Sequence, residues 1–476
     1  MLTKKLISLV ILFSFIGCIS SSGINSEKDR VNAETVSAYN SNAAELSERS
    51  HKSARFTPEQ KDAIKHLQKT ADDFNQEGKV YLHKGDFERA IQLFQGAKQL
   101  APYDYRSYSL LANSYIYLKQ MDDAFKILEE AGRLEINNDY LFAQLDTPTF
   151  IKNLSLFSPK PSVVSIAPFK DDKKCAVTFS FDDGARIVYE QALPLFEKYG
   201  FMVTIPINPG YIPQETEGHR VWGGWELWKN ASERGHEIAN HAMNHADLTR
   251  IDAAAIEKEI NGGYDAIKEK IGMPPFSFVF PYDKYNNESM QIAQQRHGAI
   301  RVHDFLTRVY ENVLVVSYGG ERFSVQTAQK IIDLAIRGRI WLIAQCHSIV
   351  GNVKRTYKPV TQEFLEKHLA YIDEKKEDIW VDTFRNVYLY LLERKTTDIE
   401  IKNTGDQGVT FRLIKTENID PLSCPLTVIV DTGDIQPNQA LAIQEEEMKA
   451  IPVRISDKKL YVNVIPQGQT IHVEWE

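Results

Sequence analysis

Three groups of side chains in this sequence could work on a carbonyl carbon. Asp182 and Asp183 stand together in Phe181-Asp182-Asp183-Gly184, directly after the apolar run Val177–Phe181. Taken alone, Asp-Asp-Gly reads equally as a turn. His241 and His245 lie four residues apart in His241-Ala242-Met243-Asn244-His245. Two imidazoles at that spacing share one face of a helical turn and can clasp one metal ion. With 12 histidines in 476 residues, chance supplies about 0.3 such pairs per chain, so this pair gains meaning only from its company. His347 follows the apolar stretch Trp341–Cys346, where a structural histidine is the competing reading. Together, one carboxylate and two imidazoles supply three metal ligands and leave a position for water, as in catalytic rather than structural zinc-type sites. The neighbouring carboxylate can serve as base and the distant histidine as acid, which is the equipment for hydrolysing an amide or ester.

The elements that must position these groups are short apolar runs alternating with helical patterns. Ala176–Phe181, Phe201–Ile207, Phe276–Phe280, Val313–Val316 and Ile340–Gln345 read as buried strands. That alternation predicts a parallel α/β sheet or barrel, whose active residues sit at the carboxyl ends of strands. Each polar group above occupies such a place.

The order of these motifs resembles the polysaccharide deacetylase (NodB-homology, carbohydrate esterase) family over about residues 175–396. Thr178-Phe179-Ser180-Phe181-Asp182-Asp183-Gly184 is similar to its first motif, which implies Asp182 as base and Asp183 as metal ligand. His241 and His245 match the ligand pair of its second motif. Phe280-Pro281-Tyr282 resembles the third, which implies that the Tyr282 backbone N–H helps hold the oxyanion. His347 resembles the general acid of the fifth, and residues 378–384 resemble the closing strand and helix. The resemblance implies a distorted (β/α) barrel and one divalent metal, with Zn2+ as default and Co2+ or Ni2+ as alternatives. It also implies release of acetate from an N-acetylated poly- or oligosaccharide. Alternatives are an O-acetyl esterase on a plant polysaccharide such as xylan, and a catalytically decayed glycan-binding or scaffold lipoprotein. The sequence departs from the family at Val279, where Arg is frequent, at Ala242, where Ser or Thr is frequent, and in having no clear fourth motif. Arg301, in Ala299-Ile300-Arg301-Val302, is expected to supply the missing guanidinium from a neighbouring strand and orient Asp182. Binding of a charged substrate is the other role open to it.

The remaining segments place this unit in a larger chain. Lys4 and Lys5 precede an apolar run ending at Cys18, and Phe15-Ile16-Gly17-Cys18 resembles the lipobox of bacterial lipoproteins. Residues 1–18 therefore read as a lipoprotein-type signal, and residues 19–55 as a polar tether. The expected location is across the inner membrane of a bacterium, held to a membrane, periplasmic or at the surface, by a lipid anchor only. Within residues 56–150 the chain matches itself at a shift of 34, the tetratricopeptide period. Ala71–Asp104 carries Gly78, Tyr81, Gly85, Phe87, Ala90, Phe94 and Ala97, and the second copy carries Tyr108, Ala112, Tyr115, Ala124, Leu128 and Ala131. Flanking helices near Pro58–Thr70 and Tyr140–Phe150 are expected to cap the stack, which could hold a protein partner or act as a spacer. Residues 160–396 form the expected barrel. Residues 397–476 read as short alternating strands of a β-sandwich-like accessory domain. Tyr211, Trp222, Trp225 and Trp228 could stack on sugars, although the spacing of Trp225 and Trp228 favours core packing. Asp431-Thr432-Gly433 reads as a strand-end turn. A net charge of −8 argues against a nucleic-acid partner, and four scattered cysteines do not make a disulfide framework.

Overall fold

The computed structural model describes residues 58–101, 104–132, 163–215, 221–302, 305–306, 313–320, 323–350, 357–417 and 424–476. The signal, the tether and the helix expected near Tyr140–Phe150 lie outside the described residues. By compactness the chain separates into residues 1–74 with 96–102 and residues 75–95 with 103–476; the candidate site and every sheet belong to the second. Among the described residues no helix is long and apolar enough to cross a membrane.

Four helices open the described chain: α1 (Pro58–Lys84), α2 (Phe87–Leu100), α3 (Tyr105–Tyr117) and α4 (Met121–Gly132). The helix expected at Pro58–Thr70 is not separate. It is the first half of α1, since no glycine or proline interrupts residues 59–77. Gly78 is small because a Cβ there would lie 2.4 Å from the Phe94 ring. The second copy balances the same contact differently, with Ala112 against the smaller Leu128, both fully buried. Gly85 turns the chain in a left-handed conformation (φ 79°), and Lys119, 34 residues on, does so with φ 62° and no glycine.

The central strands are β1 (Val164–Ile166), β2 (Cys175–Phe181), β3 (Thr204–Ile207), β4 (Glu237–Asn240), β5 (Ser277–Val279), β6 (Ala299–Val302), β7 (Phe305–Leu306), β8 (Val313–Ser317), β9 (Trp341–Cys346) and β10 (Ile379–Val381). Helices α5 (Leu193–Glu197), α6 (Trp225–Glu233), α7 (Ala253–Ile271), α8 (Asn287–Arg296), α9 (Val325–Gly338), α10 (Gln362–Glu374) and α11 (Phe384–Lys395) separate most of them. One nine-stranded sheet runs β7-β6-β5-β4-β3-β2-β9-β8, with β10 on β2, and every pairing is parallel except β6 with β7. Among the described residues β7 and β8 do not pair, so the sheet stays open.

Alternation along β2 and β9 sorts the interior. Val177, Phe179, Phe181, Leu342, Ala344 and Cys346 pack into the core beneath the helices. Ala176, Trp341 and Ile343 point the other way, into a second core. That core is shared with the C-terminal strands β11 (Thr397–Gly405), β12 (Gly408–Lys415), β13 (Leu426–Asp431), β14 (Ala440–Gln444), β15 (Lys449–Ile451), β16 (Val453–Ser456), β17 (Lys459–Val464) and β18 (Thr470–Trp475). They form two antiparallel sheets, β1-β13-β17-β16 and β11-β12-β18-β14-β15. β1 precedes the parallel sheet in sequence but pairs with β13, so this antiparallel unit begins before the barrel rather than at residue 397. Asp431-Thr432-Gly433 is a turn in which the Asp431 carboxylate accepts from Gly433 N–H at 2.9 Å.

Among the central strands, β1, β4 and β7 were not legible in the sequence. β4 carries Glu237, which is buried and accepts from Thr204 Oγ1 (2.9 Å), Ser277 Oγ (2.5 Å) and Arg385 N–H (2.8 Å). The carboxylate thus ties β3, β5 and the first turn of α11 to β4, and its polarity hides a strand. β6 carries Arg301, as expected of a residue that brings its guanidinium in from a neighbouring strand.

His368 of α10 is fully buried among the rings of Phe179, Phe364 and Tyr318, and neither ring nitrogen has a partner among the described residues. Burial pushes its pKa down to about 3. In the unfolded chain the imidazole titrates near its ordinary value, so between about pH 6.5 and 3 the unfolded state binds more protons and stability drops as the pH is lowered. Thermal unfolding from pH 7 to pH 4 should show a shallower loss of Tm in His368→Leu than in wild type. Equal slopes would remove His368 from the acid response.

Candidate active site

The candidate groups gather at the carboxyl edge of the parallel sheet. Asp182 follows β2 and is 1% exposed. It accepts from Ser180 Oγ (2.9 Å), Gln345 Nε2 (3.1 Å) and Arg301 Nη2 (2.5 Å). Arg301 is equally buried and reaches Asp182 from β6, where it is the register partner of Val279 on β5. The guanidinium therefore arrives one strand over, level with the place where the third motif lacks it. Burial alone would lift the Asp182 carboxyl, but Arg301, with His241 and His347 behind it, outweighs burial and holds it at about 2.

Asp183 turns the other way because its backbone is left-handed (φ 79°), which aims its carboxylate at the histidine pair. Its Oδ1 lies 3.6 Å from His241 Nε2 and 3.5 Å from His245 Nε2. All three ligand atoms fall within 4.8 Å of one another. Tetrahedral ligands at metal distances of about 2.0–2.2 Å stand roughly 3.3–3.5 Å apart, so the observed separations fit a shared ion better than direct hydrogen bonds. His241 Nδ1 is turned to the Val279 carbonyl at 2.8 Å, leaving Nε2 for the site. Burial pushes His241 down to about 3 and lowers His245, so both rings keep a free lone pair at neutral pH. Burial pushes the Asp183 carboxyl up to about 6, opposed by His347 and reinforced by Asp182.

The histidines do not share a helical turn. His241 follows β4 directly, and His245 is reached through a loop in which Ala242 and His245 are left-handed (φ 61° and 55°). That loop is held by residues with no motif signature. Asn208 Nδ2 donates to the carbonyls of His241 and Ala242, and Asn240 Oδ1 accepts from Ala242 N–H. The Glu259 carboxylate accepts from the backbone and side chain of Asn244, each at 2.8 Å. Gly210 allows the loop to close over it, since a Cβ there would lie 2.2 Å from Asn244 Oδ1. Only the neutral-looking spacing of Asn208 and Asn240 just past apolar runs could have marked them.

Tyr282 is also left-handed (φ 59°), and its ring, 52% exposed, meets His245 edge-on at 4.5 Å. No group among the described residues takes up its N–H. His347 follows β9, acts electrostatically on both Asp182 and Asp183, and keeps a buried Nδ1 without a partner among the described residues. Trp225 and Trp228 are buried core residues, whereas Tyr211 and Trp222 stack at 5.2 Å, with Tyr211 partly exposed and electrostatically close to Asp183.

Residues 169–298 match the family model described as polysaccharide deacetylase, and residues 38–131 match that of anaphase-promoting complex, cyclosome, subunit 3, in keeping with helical repeats. The chain is 22% identical over 138 residues to a putative polysaccharide deacetylase of Bacillus subtilis (strain 168), covering 29% of this chain and 48% of that one. It is 27% identical over 128 residues to a chitooligosaccharide deacetylase of Rhizobium leguminosarum bv. trifolii, covering 26% and 54%. A solved putative polysaccharide deacetylase from Mycobacterium smegmatis is 16% identical, covers 51% of this chain and 98% of that one, and has a TM-score of 0.37. The chain spans about half the length of these curated relatives.

Removing Arg301 would strand a buried carboxylate. Arg301→Met should cost about 3–5 kcal/mol in urea unfolding, and Asp182→Asn combined with Arg301→Met should cost less than the single change. Equal stability of Arg301→Met and wild type would contradict the pairing.

Proposed function

We propose, from the match of residues 169–298 to the polysaccharide deacetylase family model, that the chain hydrolyses acetyl groups from an N-acetylated poly- or oligosaccharide and releases acetate. The observation that carries this reading is the meeting of Asp183, His241 and His245 beside a second, ionised carboxylate. Those three residues would hold one divalent cation, Zn2+ by donor type with Co2+ or Ni2+ as alternatives. When bound, the cation supplies Lewis-acid polarisation of the acetyl carbonyl and acidifies the attacking water.

Asp182 accepts the proton of that water. Arg301 keeps it ionised, and Ser180 and Gln345 fix the carboxylate plane. A carboxylate held near 2 takes a proton only from an acidified water, so base and cation depend on each other. The unpaired Tyr282 N–H is available to the oxygen that gains charge as the carbonyl carbon becomes tetrahedral. His347 delivers a proton to the leaving nitrogen as the C–N bond breaks, which an amine requires because an amide anion leaves poorly. Tyr211 and Trp222 offer a stacked aromatic face suited to a sugar ring. Acylation of Cys18 would hold the enzyme at a bacterial membrane, and the repeats would offer their free surface to a protein partner.

The test is acetate release by protein lacking the residues before Ser20, on chitin oligomers and on acetylated xylan. Chelation should abolish release and added Zn2+ should restore it. Asp182→Asn should keep its metal and lose roughly 10²–10⁴ in rate. Undiminished release by that variant would overturn the role of Asp182, and release from xylan alone would move the substrate to O-acetyl esters.

A further inference from the structure

Between the two histidines of the site the chain is held by its backbone. Ala242 has no polar side chain to steady the turn, yet it adopts a left-handed conformation (φ 61°) that alanine keeps only under restraint. Its N–H is restrained by Asn240, the last residue of β4, whose Oδ1 accepts at 3.1 Å. The oxygen of that amide must therefore face the loop. Which way the amide faces is decided at its nitrogen end.

There Asn240 Nδ2 donates to the Ile260 carbonyl of α7 at 2.9 Å and meets His297 Nε2 at 3.1 Å. His297 lies 57 residues along the chain from Asn240, buried at the C-terminal end of α8. Its Nδ1 faces the Ala293 carbonyl at 2.9 Å. A carbonyl only accepts and an amide nitrogen only donates. The ring satisfies both in one way, with a proton on Nδ1 and a lone pair on Nε2. Burial pushes its pKa down to about 4, so the lone pair is present at neutral pH. Turned over, the Asn240 amide would set its oxygen against a carbonyl and a ring lone pair, and its NH2 against the Ala242 N–H. The packing leaves little room for other arrangements. A Cβ on Gly263 of α7 would lie 2.4 Å from Asn240 Oδ1, and Tyr264 and Phe278 close on the His297 ring at centroid distances of 5.1 and 5.2 Å.

We infer that His297 is a positioning residue for the metal loop. Its Nε2 lone pair locks the Asn240 amide, and that amide holds the Ala242 N–H so that His241 and His245 converge with Asp183. The inference rests on the deacetylase reading, in which those three residues hold one cation.

Zn2+ affinity of the purified protein, measured by competition with a chromophoric chelator, reports on the loop without requiring turnover. His297→Phe keeps a ring against Tyr264 and Phe278 but removes the acceptor, and should weaken Zn2+ binding about 10- to 100-fold. His297→Gln returns an acceptor toward Asn240 and should stay within about threefold of wild type. With Asn240→Ala already in place, His297→Phe should weaken binding no further, because its effect passes through that amide. NMR of wild type with isotope-labelled histidine should show the His297 proton on Nδ1 at neutral pH, a readout that stands even where a variant fails to fold. Equal Zn2+ affinity of His297→Phe and wild type, equal losses in His297→Phe and His297→Gln, or a further loss on the Asn240→Ala background would overturn the positioning role and leave the deacetylase reading intact. A proton on Nε2 would do the same. If wild type binds no Zn2+, the deacetylase reading and the positioning role fall together.

Discussion

A carboxylate can stay ionised inside a protein only beside a compensating cation, and at the end of β2 that cation is Arg301. Both side chains of the pair are 1% exposed, so neither charge has water to fall back on. The arrangement lets two adjacent aspartates do different things. Asp182 is pinned by Arg301, Ser180 and Gln345, while the left-handed backbone of Asp183 throws its side chain toward the histidines. One ion pair therefore separates a candidate base from a candidate ligand at neighbouring positions in the chain.

The histidine side of the site depends on a different device. Its loop is short, strained at Ala242 and His245, and tied from below by Asn208, Asn240 and Glu259. Residues held in sparsely populated backbone conformations persist only when their surroundings over-determine them, and such residues concentrate at functional sites. Asp183, Ala242, His245 and Tyr282, all non-glycine and all left-handed, surround one point. The antiparallel sheets and the lower half of the interior share a core that makes the floor beneath this point apolar and rigid.

The local motifs were legible because each is contiguous: Asp182-Asp183-Gly184, the His241 and His245 pair, Phe280-Pro281-Tyr282, and His347 at a strand end. The period of the helical repeat was legible too, because Gly78, Phe94, Ala112 and Leu128 answer one another at a fixed shift. The residues that hold the motifs in place were not. Asn208 meets its partner 33 residues away and Gln345 meets Asp182 at a separation of 163, distances at which composition carries no signal. β4 was hidden because Glu237 breaks the apolar pattern that betrays a buried strand. The histidine spacing suggested a helical turn, yet two left-handed residues bring the same side chains together from a loop, since a four-residue spacing constrains reach more than conformation. Nothing in the sequence indicated that β1 would cross to the C-terminal sheet or that α3 would share an apolar core with β8.

The claim on which the rest hangs is that Asp183, His241 and His245 grip one divalent ion. X-ray absorption at the zinc edge, on protein loaded by equilibrium dialysis, tests it most directly. The account predicts one Zn2+ per chain, two imidazole nitrogens and oxygen in the remaining positions. Failure to bind zinc stoichiometrically, or a first coordination shell containing sulfur or fewer than two imidazoles, would contradict it.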